Sequence, residues 1–141
     1  MLKRSAAIAL SSVLLLSACG GDTDDSENKS AQDDFDGKTV ECDYREDGQE
    51  PAREVDLPSS EAPAEGTVEA VVTTGQGDIT LTLDREKAPC AVNSFVSLAE
   101  QGFYDDSPCP RVGNAPGFGI LQCGDPSGSM SGGPGYSFDD E

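Results

Sequence analysis

TVEAVVTTGQGDITLTL, residues 67–83, is the stretch whose reading decides the fold. Val68, Ala70 and Val72 fall on one side of an alternating run, and so do Ile79, Leu81 and Leu83. Apolar residues at every second position mark strands covered on one face. With Thr74-Gly-Gln-Gly77 as the turn between them, the stretch predicts a β-hairpin. Next along the chain, Pro89 suits the first turn of a helix. Val92, Phe95, Val96 and Ala99 form an apolar stripe, and Gly102 is placed to end it, so a helix is expected over 88–101. Asp105-Asp-Ser-Pro108 reads as a turn. Two short strands are expected beyond it, one around Arg111-Val112 and one over 119–123. Residues 113–135 hold eight of the 16 glycines but no lysine, and no G-x-x-x-x-G-K-[ST] occurs, which excludes a Walker-type phosphate cradle. Residues 124–136 read instead as a long surface loop of small residues.

In the other direction the texture changes. Residues 20–66 carry 16 of the 27 acidic residues against four basic ones, with few large apolar side chains. Such a composition offsets little chain entropy by burial, so residues 19–66 read as an acidic flexible tether. The rival is a weak cation-binding or partner-binding tail, but no Gly-punctuated calcium loop with a closing Glu is present. Ahead of it, Lys3 and Arg4 precede an apolar run from Ala6 to Leu16 that is too short to span a bilayer. Residues 1–18 thus read as a signal peptide. Leu16-Ser-Ala-Cys19-Gly20 resembles the bacterial lipobox, in which Cys19 becomes the lipidated first residue of the mature protein. Dual acylation gives stable anchoring, so the expected location is the cell membrane, on its extracytoplasmic face.

Composition excludes several classes of function. With 9 Lys plus Arg against 27 Asp plus Glu, the chain has a formal charge of −18, which argues against a nucleic-acid partner. It contains no His, which rules out Ser-His-Asp triads, Cys-His dyads and His-ligated zinc. No metal or cofactor is expected.

Several pieces, in order, resemble the cyclophilins, the peptidyl-prolyl cis-trans isomerases. They are Gly77-Asp-Ile79, Ala88-Pro89, Val92-Asn-Ser-Phe95, Leu98-Ala99, Gly102-Phe-Tyr-Asp105, Arg111-Val112, Gln122-Cys-Gly-Asp-Pro126 and Gly132-Gly-Pro-Gly-Tyr-Ser-Phe138. The nearest likeness is to lipoprotein members of actinobacteria. The resemblance implies a mainly β fold, an antiparallel barrel with a capping helix, of which residues 67–141 carry only the N-terminal half. It implies Arg111 and Gln122 as catalytic residues, and Phe118 and Ile120 as apolar groups that bind the substrate proline. The residue types suit that chemistry. Rotation about an X-Pro bond is slow because amide resonance must be broken, and a positioned guanidinium can stabilise the twisted amide without a nucleophile or metal. One departure stands out: the family's His before the catalytic Arg is Pro110 here.

With Cys19 lipidated, Cys42, Cys90, Cys109 and Cys123 form an even set in an oxidising compartment, so two disulfides are expected. Three connectivities are open. Because Cys109 and Cys123 flank two strands that should pair, Cys109–Cys123 with Cys42–Cys90 is expected. The absence of C-x-x-C argues against a redox enzyme. The expected partners are proline-containing polypeptides and, through the anchor, the membrane. The expected function is isomerisation of X-Pro bonds in exported proteins. The alternatives are a catalytically inactive peptide-binding lipoprotein and an acidic cell-surface spacer.

Overall fold

A computed structural model of the chain describes residues 36–141. The expected signal peptide, Cys19 and the acidic run up to Asp34 lie outside the described residues. Eight strands and one helix follow in the order β1 (Thr39–Glu41), β2 (Arg45–Glu46), β3 (Glu61–Pro63), β4 (Thr67–Thr74), β5 (Gly77–Asp84), α1 (Pro89–Glu100), β6 (Arg111–Ala115), β7 (Phe118–Gln122) and β8 (Tyr136–Ser137). They pair antiparallel as β1–β3, β2–β8, β4–β5 and β6–β7. The fold is mainly β with one helix. Among the described residues the ladders stay two-stranded and no barrel closes.

The β4–β5 hairpin pairs Val68 with Leu83, Ala70 with Leu81 and Val72 with Ile79, so the alternating residues share one face. At its turn the Thr74 hydroxyl donates to the Gly77 carbonyl at 2.7 Å and accepts the Gln76 amide at 3.1 Å.

Helix α1 begins at Pro89, whose missing N–H is no loss in the first turn. No local side chain caps it. The Glu141 carboxylate, some fifty residues away, accepts the amides of Cys90 at 3.0 Å and Ala91 at 2.8 Å. A negative group there satisfies donors that the helix cannot and complements its dipole. The C-terminus closes through Gly102 at φ +69, with Gly102 N–H donating to Ala99 O and Phe103 N–H to Leu98 O. This is a Schellman end, and its hydrophobic pair is Leu98 and Phe103, both buried in the core. Phe103 is the most completely buried large side chain, worth about 2–3 kcal/mol of burial.

The structure corrects the reading of residues 19–66 as a tether from Lys38 onward. β1 pairs with β3, Cys42, Tyr44, Ala62 and Ala64 are buried, and the segment forms a cap over α1. Composition misleads here because the cap is held by few large apolar groups. It is held instead by a disulfide from Cys42 to Cys90 and by polar bonds to the helix. The Tyr44 hydroxyl donates to the Cys90 carbonyl at 2.8 Å, and the Asn93 amide donates to Tyr44 Oη at 3.0 Å and to the Ser59 carbonyl at 2.9 Å. Gln101 and Asp56 exchange side-chain and backbone bonds, and Arg53 donates to the carbonyls of Gly102 and Asp105. Burial pushes the Tyr44 hydroxyl up to about 12, against the opposing effect of the Asn93 hydrogen bond.

The buried face of α1 is therefore not the expected stripe. It is Val92, Asn93, Ser94, Ser97 and Leu98, while Ala99 is exposed. Asn93 and Ser94 point inward because the cap and β8 offer them partners, while the Ser97 hydroxyl accepts the Gln101 side-chain amide at 3.0 Å. Phe95 and Ala99 look the other way, into a cavity of about 1150 Å³ between α1 and the hairpins.

Candidate active site

β6 and β7 form a five-pair hairpin around the turn Pro116-Gly117, with Gly117 at φ +77. Arg111 stands opposite Gln122, Gly113 opposite Ile120 and Ala115 opposite Phe118. Directly opposed residues share a face. Arg111, Gln122, Ile120 and Phe118 therefore lie on one side of the hairpin. The absence of a side chain at Gly113 matters, since a Cβ there would come within 2.8 Å of Ile120 Cγ2. Ile120 thus lies across the strand and forms an apolar patch between the polar and aromatic ends of the face.

At the polar end, Arg111 Nη1 donates to Gln122 Oε1 at 3.4 Å, a long bond that orients the guanidinium without consuming it. Arg111 is exposed, and among the described residues no carboxylate forms an ion pair with it. Its fork of five N–H donors keeps capacity for a carbonyl ligand. At the other end Phe118 is 60% exposed, so it is not a core residue. Val112, Asn114, Gly119 and Leu121 occupy the opposite face, where Leu121 borders the cavity together with Val72, Leu81, Phe95 and Tyr104. Phe95 and Tyr104 stack there with ring centroids 5.2 Å apart, and burial pushes the Tyr104 hydroxyl up to about 12.

Both cysteine pairs are bonded, Cys42 to Cys90 and Cys109 to Cys123. The second bridge closes the open end of the hairpin, two residues before Arg111 and directly after Gln122.

The loop after β7 is organised by Asp125. Its carboxylate accepts the amides of Ser127 (2.8 Å), Ser131 (3.1 Å) and Gly132 (3.0 Å) and the hydroxyls of Ser127 (2.6 Å) and Ser129 (3.1 Å). These bonds, the Ser127 hydroxyl foremost, hold the carboxyl well below the usual carboxylate range against the opposing effect of burial. Gly132 is obligatory in this arrangement, because a Cβ would come within 2.3 Å of Asp125 Oδ1. The loop then delivers Tyr136, buried beside Tyr44, with the Ser94 and Tyr136 hydroxyls 2.8 Å apart.

Residues 69–141 match the family model described as cyclophilin type peptidyl-prolyl cis-trans isomerase/CLD. The chain belongs to the cyclophilin family. A probable peptidyl-prolyl cis-trans isomerase B of Mycobacterium tuberculosis is 42% identical over 102 residues, covering 71% of this chain and 33% of the relative. Its counterpart in Mycobacterium leprae is 41% identical over 104 residues, covering 72% and 35%. A peptidyl-prolyl cis-trans isomerase of Helicobacter pylori is 43% identical over 70 residues, covering 50% and 41%. The chain spans about a third of the length of the mycobacterial relatives. Those two alignments are longer than the stretch from Glu69 onward can supply, so they continue onto the residues before it. No solved structure matches the chain significantly.

Within the cyclophilin domain, the four residues proposed from sequence share one face of one hairpin. Asp125, Asn93, Tyr44 and Glu141 were not singled out. For Asp125 a signal existed, since Asp followed two residues later by Ser is an Asx-turn pattern. The other three act across long sequence separations; Asn93 lies within the Val92-Asn-Ser-Phe95 piece, but its bonds to Tyr44 and Ser59 have no local signal.

Proposed function

We propose that the β6–β7 face is a prolyl isomerase site, acting on X-Pro bonds of exported proteins and assisting their folding. The observation that carries this reading is the cross-strand pair Arg111 and Gln122, on one face with Ile120 and Phe118. A substrate whose prolyl ring lies over Ile120 and Phe118 brings its preceding carbonyl to the Arg111 fork. As the amide twists, resonance is lost and the prolyl nitrogen becomes basic. A guanidinium held by Gln122 can then donate both to that nitrogen and to the carbonyl oxygen, and it stabilises the twisted state more than either planar isomer. Single preorganised donors of this kind are worth roughly 10²–10³ in rate. The names of the mycobacterial and Helicobacter relatives support the same activity.

The same reading puts the site outside the cytoplasmic membrane, on a chain anchored through a lipidated Cys19. The two disulfides support an oxidising compartment. Metabolic labelling with a clickable palmitate analogue tests the anchor: label on the wild type and none on Cys19→Ser is expected, and label on both contradicts it.

A second reading, a lipoprotein that binds proline peptides without catalysis, is favoured by Pro110 before Arg111 and by the high exposure of Phe118. Exchange cross-peaks between the cis and trans signals of an Ala-Pro tetrapeptide separate the two. Catalytic amounts of the chain are expected to produce the cross-peaks, and Arg111→Ala is expected to remove them. Peptide line-broadening without exchange would select the binding module.

A further inference from the structure

We propose that the Cys109–Cys123 bridge is the positioning element of the Arg111–Gln122 pair, so that the site is assembled only in the oxidised chain. This inference rests on the isomerase reading of the hairpin. Among the described residues β6–β7 is a two-stranded ladder, so within them the pairing of Arg111 with Gln122 rests on that ladder's own bonds and links. Its turn adds little. Pro116 fixes a negative φ and Gly117 has φ +77, a type II pattern whose twist does not match that of paired strands. Gly113 and Gly119 add backbone freedom within the strands themselves. Arg111 and Gln122 are the last pair of the ladder, farthest from that turn, where fraying is greatest. Their mutual bond is 3.4 Å long and cannot hold the strands together. The covalent link one residue past Gln122 and two before Arg111 does so.

The two bridges also differ in access. Cys42 is 3% exposed, whereas Cys109 and Cys123 are both exposed. A small dithiol can therefore reach the hairpin bridge first. Its attack breaks the protein S–S bond, leaves two protein thiols and oxidises the dithiol to its own disulfide, a balanced two-electron exchange. Reduction then frees the ladder end without touching the cap.

The test compares the full oxidised chain with its Cys109→Ser/Cys123→Ser variant, both carrying Cys19→Ser so that no free thiol exchanges. The readouts are kcat and KM on a Xaa-Pro tetrapeptide, the cross-strand nuclear Overhauser contacts between Arg111 and Gln122, and the amide signals of α1. The variant is expected to lose at least tenfold in kcat with KM within twofold. Its Arg111–Gln122 contacts should weaken while the α1 signals stay in place, which a general loss of structure would not give. Mild dithiothreitol should reproduce the loss in the bridged chain, and reoxidation should restore it. Retention of kcat within twofold, or of the cross-strand contacts, overturns the proposal. Arg111→Ala, measured alongside, separates the two claims. If it is inactive while the bridge variant is fully active, positioning alone fails. If it is as active as the wild type, the isomerase reading fails and the positioning claim goes with it.

Discussion

On one side of α1 lies the cap, residues 38–64 with β8, and on the other lie the two hairpins around the cavity. In the cap, polar groups are buried and satisfied: Tyr44, Asn93, Ser94 and Tyr136 bond one another or a backbone carbonyl. Among the described residues no buried side-chain polar atom lacks a partner. Tyr44 meets Tyr136 and Phe138 edge to face at 5.8 and 5.4 Å. On the hairpin side the pattern is inverted, with Val71, Val112, Phe118 and Leu121 all more than half exposed. The difference teaches that buried, satisfied polar groups and exposed apolar surface are kept apart in this chain. The cap supplies a frame of satisfied buried polar groups and a disulfide, and the hairpins carry the face proposed to meet a ligand.

The strongest way to break that contrast is to cut the cap loose. Replacing Cys42 and Cys90 by Ser removes a cross-link over a sequence separation of 48 residues. By loop entropy this destabilises the chain by about 4 kcal/mol, and urea denaturation is expected to show it as a lower midpoint. Asn93→Ala tests the polar half of the same frame. It strips a buried donor from both Tyr44 Oη and the Ser59 carbonyl, at a cost of about 2–3 kcal/mol.

Asp125 stands at the junction of the two regions, and its effect is pH-dependent. Its folded value is depressed below the ordinary one of 3.8. The stabilisation is therefore complete above about pH 4. It is lost as pH falls further, toward the folded value. The urea midpoint of wild type is expected to exceed that of Asp125→Asn at pH 6, and the gap should narrow steadily between pH 4 and pH 2. A gap that widens with acid would contradict the hydrogen-bond account. The smallest effect is expected on the hairpin side. Leu121→Gln, at an exposed position, should change stability by no more than about 0.5 kcal/mol, measured by the same denaturation.

How much was legible in the sequence follows the same division. The hairpin side repeats its apolar residues at period two and punctuates them with Gly and Pro, so β4–β5 was readable from 67–83 and the register of its faces with it. Arg111, Gln122, Ile120 and Phe118 were proposed through their motif, and the ladder puts all four on one face of β6–β7. The cap was not. Its strands are three residues or fewer, its composition is acidic, and its attachment runs through Cys42–Cys90, Asn93–Ser59 and Arg53–Gly102, contacts that join distant parts of the chain. Periodicity over a short window carries no trace of such bonds. The helix shows both cases at once: Pro89 and Gly102 marked its ends, but the inward turn of Asn93 and Ser94 depended on a cap and a β8 contact that the composition concealed.

The most direct test of the account measures kcat/KM on an X-Pro peptide and the urea midpoint for Arg111→Ala and Asn93→Ala side by side, with activity read at low urea where both are folded. The account predicts that Arg111→Ala loses about 10² in kcat/KM with an unchanged midpoint. Asn93→Ala should do the opposite, with a lowered midpoint and kcat/KM within twofold of wild type. An Arg111→Ala chain that isomerises as fast as the wild type would contradict it.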